Sequence, residues 1–306
     1  VAAEHFTCSR QAVHRHLRGL IASGVVAASG DTRARRYRLV TLGWGQRYDL
    51  AQGIDESTAW LRDIAPQLQM LPDNVRNIWH FGFTEMFNNA IDHAQASRVE
   101  VQLSSDAVST SMLIDDDGVG IFKKIQAALG LLDARHAVVE LAKGKFSTDP
   151  ANHSGEGIFF TSRMFDRFEI HSDGVTFSHE APPEQSQVAQ QNDDATGTAV
   201  FMVLRNNTSR TTKKVFDRFT SDDGDYSFDK TMVPVRLLSY GDDQLVSRSQ
   251  AKRLLSRFDR FKVVVLDFSG VASVGQAFAD EVFRVFRRKH PHVDLQPKNV
   301  SSAVRR

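Results

Sequence analysis

Cysteine is almost absent from this chain of 306 residues, in which Cys8 is the only one. A single cysteine excludes an internal disulfide and a multi-cysteine zinc site, which fits a reducing compartment. Apolar runs are short as well, and none approaches the roughly 20 residues that a membrane-spanning helix needs. No stretch has the pattern of a signal peptide, and the first residue is Val rather than Met, so we expect part of the natural N-terminus to be missing. We therefore expect a cytoplasmic protein without a membrane partner.

An excess of charge of either sign is also missing, because 38 basic residues balance 37 acidic ones to a net charge of +1. The distribution is nevertheless uneven. Residues 1–40 contain seven arginines and only two acidic residues, which is a local net charge of +5. A basic end on a balanced chain suggests an anionic partner at that end. The length, together with 41% hydrophobic and 25% charged residues, is typical of a folded soluble protein of two or three domains.

The basic end has the pattern of a helix, a tight turn, a second helix and two short strands. Ser9 is a good N-cap for the second helix, in which Val13 and Leu17 begin an apolar repeat at helical spacing. The stretch "VVAASGDTRARRYRLV" follows and predicts a hairpin around Gly30. Residues 1–40 therefore resemble a winged helix-turn-helix that has lost one helix upstream.

In a winged helix, the second helix enters the major groove of double-stranded DNA, and the wing contacts phosphates or the minor groove. The resemblance therefore implies base contacts from the start of the second helix and backbone contacts from the hairpin. A winged helix used for protein contact, or a merely basic surface, stays open as an alternative. The candidate DNA-binding residues are Arg10, Gln11, His14 and Arg15 on the helix, with Arg33, Arg35 and Arg36 on the wing.

The stretch "FTEMFNNAIDHA" at 83–94 predicts the end of an amphipathic helix that Asp73 could cap. Its apolar stripe would face a core, whereas Glu85, Asn89 and Asp92 follow one another along the opposite face. Asn and Asp are poor helix formers, so a solvated face usually carries other residues. This polar ridge of the helix is either a solvent-exposed surface or a set of ligands, and the motifs that follow it favour ligands.

Three later stretches contain glycines beside polar side chains. "LIDDDGVG" places Asp117 just past a hydrophobic strand and before Gly118 and Gly120, which permit a tight backbone path. "GEGIFF" places Gly155 and Gly157 at a helix N-terminus, where free N–H groups and the helix dipole favour a phosphate. "TGT" then opens a strand with two hydroxyl groups. The ordered set E-x-x-x-N, D-x-G-x-G, G-x-G and G-T is unlikely to arise by accident.

In this order the motifs resemble the ATP-binding fold of the GHKL proteins, which include gyrase, heat-shock chaperones, sensor histidine kinases and MutL. The resemblance covers residues 72–205 and is nearest to the anti-sigma-factor kinases. It implies that Asn89 holds a Mg²⁺ ion that bridges the phosphates, a hard cation that prefers oxygen ligands. Glu85 would be the catalytic base that orients a water or a hydroxyl group. Asp117 would accept a hydrogen bond from the adenine amino group, with support from Thr198.

The remaining contacts that the resemblance implies surround the phosphates. The backbone of Gly155–Gly157 would cradle them, and Lys143 and Lys145, in the loop before it, are candidates to reach the terminal phosphate. Asp115 and Asp116 are predicted as solvent residues at a strand end rather than as ligands. The chain contains no G-x-x-x-x-G-K-[ST], which excludes a P-loop protein.

Strands and helices alternate from about residue 206 and indicate a small α/β domain. Within it, "VVVLDFSGVASVGQAF" resembles the STAS domain of anti-sigma-factor antagonists. Those antagonists carry a D-S-S-G motif whose serine receives phosphate from the partner kinase. The aligned residues here are Gly275, Gln276, Ala277 and Phe278, so the acceptor serine is absent. The resemblance implies a kinase-type domain fused to its antagonist-type partner in a constitutive contact, and a further protein partner could bind there.

The predicted fold class is multidomain, α+β and α/β. The predicted units are a winged helix-turn-helix over 1–40, a helical linker over 41–71, a Bergerat-type α/β sandwich over 72–205 and a STAS-like α/β domain over 206–306. A polar stretch inside the sandwich, residues 181–195, is predicted as a mobile loop. In the linker, a possible packing stripe consists of Trp60, Leu61, Ile64 and Leu68.

Two functions compete at this point. The first is a DNA-binding transcriptional regulator whose GHKL-type domain binds ATP with Mg²⁺ and slowly hydrolyses it, with a homodimer as one assembly through which the nucleotide could act. The second is a serine/threonine protein kinase of the anti-sigma-factor type that acts on a separate partner. Both use Glu85 as the base. A third interpretation, nucleotide binding without chemistry, does not require that carboxylate.

Overall fold

The computed structural model describes residues 7–31, 34–147, 155–182, 185–190, 196–220, 227–238, 244–302 and 304. Its strands form three sheets of two, seven and three strands. Among the residues so described, no helix combines the length and the apolarity that crossing a bilayer requires.

The two-stranded sheet belongs to the basic end of the chain. Helix α1, Arg10–Ala22, begins after Ser9, whose side chain accepts a hydrogen bond from the Ala12 N–H. Strands β1 (Val26–Ser29) and β2 (Arg36–Leu39) then pair antiparallel. The predicted order of helix and hairpin is therefore present, and the assignment as a winged helix stays a prediction. The preceding helix and Arg33 lie outside the described residues.

The seven-stranded sheet is antiparallel throughout, in the order β3-β4-β5-β9-β6-β7-β8. Buried and less buried residues alternate along its inner strands, because successive side chains point to opposite faces. One face therefore packs on a hydrophobic core and the other stays partly open. The strands are β3 (Leu42–Asp49), β4 (Arg98–Ser105), β5 (Ser109–Asp116), β6 (Arg167–Ser172), β7 (Val175–Glu180), β8 (Gln185–Gln190) and β9 (Thr198–Arg205).

Helices cover the buried face of this sheet. The longest, α3, buries Trp79, Phe83 and Phe87 completely and continues as a π-helical turn over Asn89–His93. Before it, α2 continues into a π turn and a 3₁₀ turn that together reach Leu68. The helices of this domain are α2 (Glu56–Ala59), α3 (Asp73–Asn88), α4 (Ile121–Leu129), α5 (Arg135–Lys143), α6 (Gly157–Met164) and α7 (Thr212–Phe216).

The C-terminal domain is a parallel three-stranded sheet in the order β10-β11-β12, with helices between the strands. A capping box at Ser247 and Gln250 starts α8. The core of this domain is continuous with that of the seven-stranded sheet. Its elements are β10 (Lys230–Pro234), α8 (Arg248–Leu255), β11 (Val263–Asp267), α9 (Gln276–Asp280), a π turn over Glu281–Phe286, α10 (Arg287–Lys289) and β12 (Asp294–Lys298).

The structure differs from the sequence prediction at four places outside the site. The predicted helical linker begins instead with β3, which joins the large sheet through β4. Part of the predicted loop over 181–195 forms β8, which pairs with β7. Asp73 is the first residue of α3 and not its cap. In the predicted packing stripe, Leu61 is 71% exposed, whereas the other three members are buried.

Candidate functional site

A cavity of about 300 Å³ opens between helix α3 and the buried face of the large sheet. Apolar side chains form part of its lining, and polar side chains reach it from five separate segments. The polar side chains at the cavity are Glu85, Asn88, Asn89, His93, Asp116, Lys124, Ser147 and Thr198.

Helix α3 brings the predicted polar ridge to this cavity. Glu85, Asn89 and His93 line it, whereas Asp92 is exposed and does not. The helix widens here, since the Ala94 N–H donates to the carbonyl of Asn89, five residues earlier, at 3.1 Å. Such π turns are rare in helices and are frequent at functional sites. The turn lies where the end of α3 meets the cavity.

The floor is formed by alternate residues of neighbouring strands. Asp116 at the end of β5 is opposite Thr198 at the start of β9, and Ile114 is opposite Val200 two pairs further along. The Asp116 carboxylate accepts hydrogen bonds from the backbone N–H groups of Gly118 (2.9 Å) and Thr198 (3.3 Å). Burial outweighs these bonds and raises the pKa of Asp116 to about 6. Asp116 is therefore a buried carboxylate at the bottom of the cavity.

Asp117, the residue predicted to bind adenine, does not line this cavity. Its carboxylate accepts hydrogen bonds from the N–H and the hydroxyl of Ser97 and from the N–H of Arg98. The Ser97 hydroxyl, followed by these N–H groups, lowers its pKa to about 2. Asp116, predicted as a solvent residue, is instead 8% exposed and lines the cavity. Asp116 reaches the cavity and Asp117 does not, because only Asp116 shares the strand face of Ile114.

The glycines of the motifs allow close backbone approaches around the cavity. A Cβ on Gly118 would overlap the carbonyl of Ala94, and one on Gly120 would overlap the Asp173 carboxylate. A Cβ on Gly157, the first residue of α6, would overlap the Glu85 carboxylate. The predicted base therefore lies directly against the N-terminus of the helix that was predicted to cradle phosphate.

Both predicted phosphate-binding lysines point away from the cavity. Lys143 is fully buried, and its ammonium forms an ion pair with Glu140 (2.6 Å). Lys145 donates to the carbonyl of Arg260 at 3.1 Å. Neither lysine lines the cavity, and their expected position is corrected accordingly. Lys124 on α4 does line it and donates to the carbonyl of His93.

The candidate DNA-binding residues lie far along the chain from this cavity. Arg10, Gln11, His14 and Arg15 are all exposed on α1. Arg35 and Arg36 are exposed at the hairpin, and Arg33 is outside the described residues. The structure therefore leaves these side chains available on the surface of the N-terminal unit.

Among the polar residues at the cavity that sequence reasoning missed, Asp116 and Lys124 were missed for different reasons. The D-x-G-x-G spacing itself begins at Asp116, and counting alternate residues back to Ile114 and Met112 puts Asp116 on the buried face. The sequence therefore contained a signal for Asp116. Lys124 carried none, because a lysine on an amphipathic helix is indistinguishable from a solvated one until the fold is known.

The arrangement fits a nucleotide with a divalent cation. An apolar floor with one buried carboxylate can hold a planar base, and a helix N-terminus can hold an anion. Within the described part of the chain, no three His, Cys, Asp or Glu side chains form a metal cluster. A Mg²⁺ ion would therefore need an amide oxygen such as that of Asn89 together with phosphate oxygens and water, which is a usual environment for it.

Two protein families match separate parts of the chain. Residues 50–177 match the family described as "Histidine kinase-like ATPase domain", and residues 250–305 match the family described as "STAS-like domain of unknown function (DUF4325)". A search of the curated proteins finds no match.

Among solved structures, the chain is similar to the B-subunit of the DNA gyrase from Myxococcus xanthus, with 11% identity and a TM-score of 0.26. The similarity covers 51% of this chain and 44% of the gyrase chain. The predictions of a histidine kinase-like ATPase domain and of a STAS-like domain are confirmed by the family matches. Residues 50–177 are thus similar to histidine kinase-like ATPase domains, and residues 250–305 are similar to STAS-like domains.

Proposed function

We propose that the chain binds ATP with Mg²⁺ in the cavity beside α3 and slowly hydrolyses it. The observation that carries the proposal is that Glu85, Asn89, Asp116 and Thr198, from three separate segments, line one cavity of about 300 Å³. This volume is at the lower end of the range for small-molecule sites. The histidine kinase-like ATPase match over 50–177 supports the same ligand.

The adenine ring would lie on the apolar floor formed by Ile114 and Val200. The Asp116 carboxylate would accept a hydrogen bond from the exocyclic amino group, and Thr198, paired opposite it, would support that contact. The proposal moves this role from Asp117 to Asp116, because only Asp116 is at the cavity. A buried carboxylate that must find a donor discriminates strongly against bases that lack an amino group.

The phosphates would lie between α3 and the start of α6. Asn89 would hold Mg²⁺ through its amide oxygen, and the backbone N–H groups of Gly155–Gly157 would bind phosphate oxygens. When bound, Mg²⁺ would neutralise charge on the phosphates. Lys124, which lines the cavity, replaces Lys143 and Lys145 as the candidate cation.

Glu85 would act as the base, and its contact with Gly157, the first residue of α6, supports this role. A water oxygen forms a bond to the terminal phosphorus while the bond from that phosphorus to the bridging oxygen breaks. ADP leaves with the electron pair, and the proton of the water passes to the Glu85 carboxylate. A serine hydroxyl in place of water would make the same step a protein kinase reaction.

We extend the proposal to a regulator that binds double-stranded DNA through α1 and the hairpin. The support is chemical, because Arg10 and Arg15 are exposed on a helix that has no acidic residue in its first turn. Nucleotide occupancy would then alter how the regulator acts. This part of the proposal is independent of the hydrolysis step.

The test is incubation with Mg²⁺ and ATP labelled on its terminal phosphate, for the unmodified chain and for Glu85→Ala. Free phosphate and protein-bound label are counted separately. Free phosphate that disappears in Glu85→Ala supports the ATPase. Label on this chain or on an added protein substrate supports the kinase and overturns hydrolysis. Bound ATP with neither product overturns both reactions.

Three further variants test the site itself by Mg²⁺-dependent ATP binding. We expect Asn89→Ala to abolish binding, and unchanged affinity would contradict the site. Asp116→Asn should weaken binding far more than Asp117→Asn, because only the first changes a group at the cavity. The reverse order would restore the assignment to Asp117.

A further inference from the structure

The short segment 143–147 connects helix α5 to the cavity, and the STAS-like domain holds it. The Lys143 ammonium donates to the carbonyl oxygens of Arg253 (3.0 Å) and Ser256 (2.9 Å), at the end of α8. The carbonyl of Lys143 accepts a hydrogen bond from the Thr231 hydroxyl at 2.7 Å. The segment is therefore anchored at its first residue by two different elements of the C-terminal domain.

Arg257 contacts the next residues of the same segment. One guanidinium nitrogen forms an ion pair with Glu140 (2.8 Å), and the other donates to the carbonyls of Gly144 (3.0 Å) and Lys145 (2.5 Å). Its planar group also lies over the Phe146 ring, 5.1 Å from the ring centroid. The side chain is 10% exposed. One arginine thus contacts the segment at three successive residues, which a lysine cannot reproduce.

The held segment forms part of the cavity wall. Phe146 and Ser147 line the cavity, as do Gly155 and Gly157. The Phe146 N–H donates to the carbonyl of Gly155 at 3.2 Å. A Cβ on Gly155 would overlap the Phe146 backbone, so these two residues pack main chain against main chain. A shift of Phe146 therefore moves the start of the glycine cradle beside Glu85.

We infer that Arg257 is a positioning residue through which the STAS-like domain sets the affinity of the ATPase domain for nucleotide. It acts on the ligand through the backbone of 144–146 and the Phe146–Gly155 contact. The inference rests on the proposed function, because it concerns the same cavity. By thermodynamic reciprocity, nucleotide binding must also stabilise the docked arrangement of the STAS-like domain.

The experiment compares nucleotide affinity in the full chain, using a fluorescent ATP analogue with Mg²⁺. Arg257→Ala should weaken binding about tenfold, within the usual range of coupling between sites. The nucleotide affinity of Arg257→Lys should lie between those of the unmodified chain and Arg257→Ala, because lysine keeps the charge against Glu140 and loses the paired carbonyl contacts. Arg248→Ala is the control, since this arginine of α8 is 63% exposed and pairs across the surface with Asp280. It should bind as the unmodified chain does.

A second measurement separates positioning from general destabilisation. Amide hydrogen exchange in folded Arg257→Ala should rise locally at 143–147 and 155–157, and in the unmodified chain nucleotide should slow exchange at the same amides. If Arg257→Ala does not fold, the same two readouts on Arg257→Lys decide the question.

The outcomes distinguish this inference from the proposal beneath it. Nucleotide binding by the unmodified chain with equal affinity in the Arg257 variants overturns the inference alone. Exchange that rises uniformly along the chain, without a local change at 143–147, also overturns it. Failure of the unmodified chain to bind any nucleotide overturns the proposed function and the inference together.

Discussion

Helix α1 in the N-terminal unit buries no residue, whereas helix α8 in the STAS-like domain buries Ala251, Leu254 and Leu255. The contrast extends beyond these helices. In the described part of residues 7–41 only Val26 is buried, while the C-terminal core includes fully buried Val264 and Leu266. Of the two units that flank the ATPase domain, the described part of the N-terminal one is thus almost entirely unburied, whereas the C-terminal one has a buried core.

The difference is clearest at the contacts with the ATPase domain. Phe228, just before β10, packs against Phe159 (4.5 Å between ring centroids) and Phe160 (4.9 Å) of α6. Arg163 of α6 donates to the carbonyl of Met232 at 3.2 Å. The STAS-like domain is therefore an integral part of the ATPase structure, which agrees with the absence of an acceptor serine for a reversible switch. The described residues of the N-terminal unit instead leave most of their polar surface exposed.

The largest expected change in the free energy of unfolding comes from breaking the buried ion cluster at the junction of the ATPase and STAS-like domains. Glu140→Ala leaves Lys143 and Arg257 without their carboxylate in a buried site. Breaking such a pair from one side costs about 3–5 kcal/mol in the free energy of unfolding. Urea unfolding measures it, and Arg15→Ala, a change at an exposed residue of α1, should stay within about 0.5 kcal/mol. Equally small changes in the free energy of unfolding for Glu140→Ala and Arg15→Ala would contradict this contrast between the two units.

A pair of glycines sharpens the comparison further. Gly144 has φ of +80° and lies against Phe228, so that a Cβ would come within 2.6 Å of the ring. Gly144→Ala should therefore cost about 1–3 kcal/mol. Gly19 lies inside α1, where a Cβ would have no atom within 4 Å, and Gly19→Ala should stabilise the chain by roughly 0.5–1 kcal/mol. Thermal unfolding of both variants checks the opposite signs.

These contacts also explain how much of the structure the sequence could predict. Local patterns were sufficient for α1, with its cap at Ser9, and for the long helix that presents Glu85 and Asn89. Alternation along β5 was sufficient in principle to select Asp116, although the prediction from the motif names Asp117, one position later.

Other features depend on distant partners and leave no local signal. Strand β3, "LGWGQRYD", contains two glycines and becomes a strand through its pairing with β4. Polar β8 likewise depends on β7. The position of the Lys143 ammonium depends on carbonyl groups more than 100 residues away in the sequence, at Arg253 and Ser256. A lysine beside a glycine-rich loop can therefore be expected to bind phosphate only when the fold supplies no nearer hydrogen-bond acceptor for its ammonium group.

Protonation of Asp116 tests whether the N-terminal unit is functionally separate from the nucleotide site. Its pKa of about 6 exceeds the ordinary 3.8, so its contribution to stability is complete below about pH 4 and is lost as the pH rises through 6. Nucleotide affinity should follow the opposite direction, because only the carboxylate accepts from the adenine amino group. We expect a fall of up to about tenfold per pH unit below pH 6. Asp116→Asn should abolish this pH dependence of nucleotide affinity. DNA affinity, measured without nucleotide, should not show it.

The smallest expected effect concerns a single phosphate contact from the hairpin. If the exposed arginines of the hairpin bind DNA phosphates, affinity must fall steeply with salt, since each contact releases counterions. Arg36→Ala, at an exposed arginine of β2, should weaken binding to all DNA sequences alike and reduce the slope of log affinity against log salt by about one. Arg288→Ala, at an exposed arginine of α10, is the matched control and should leave the slope unchanged. A flat salt response in the unmodified chain would remove the DNA role, and an equal loss in Arg288→Ala would show that charge alone, irrespective of the unit that carries it, attracts the DNA.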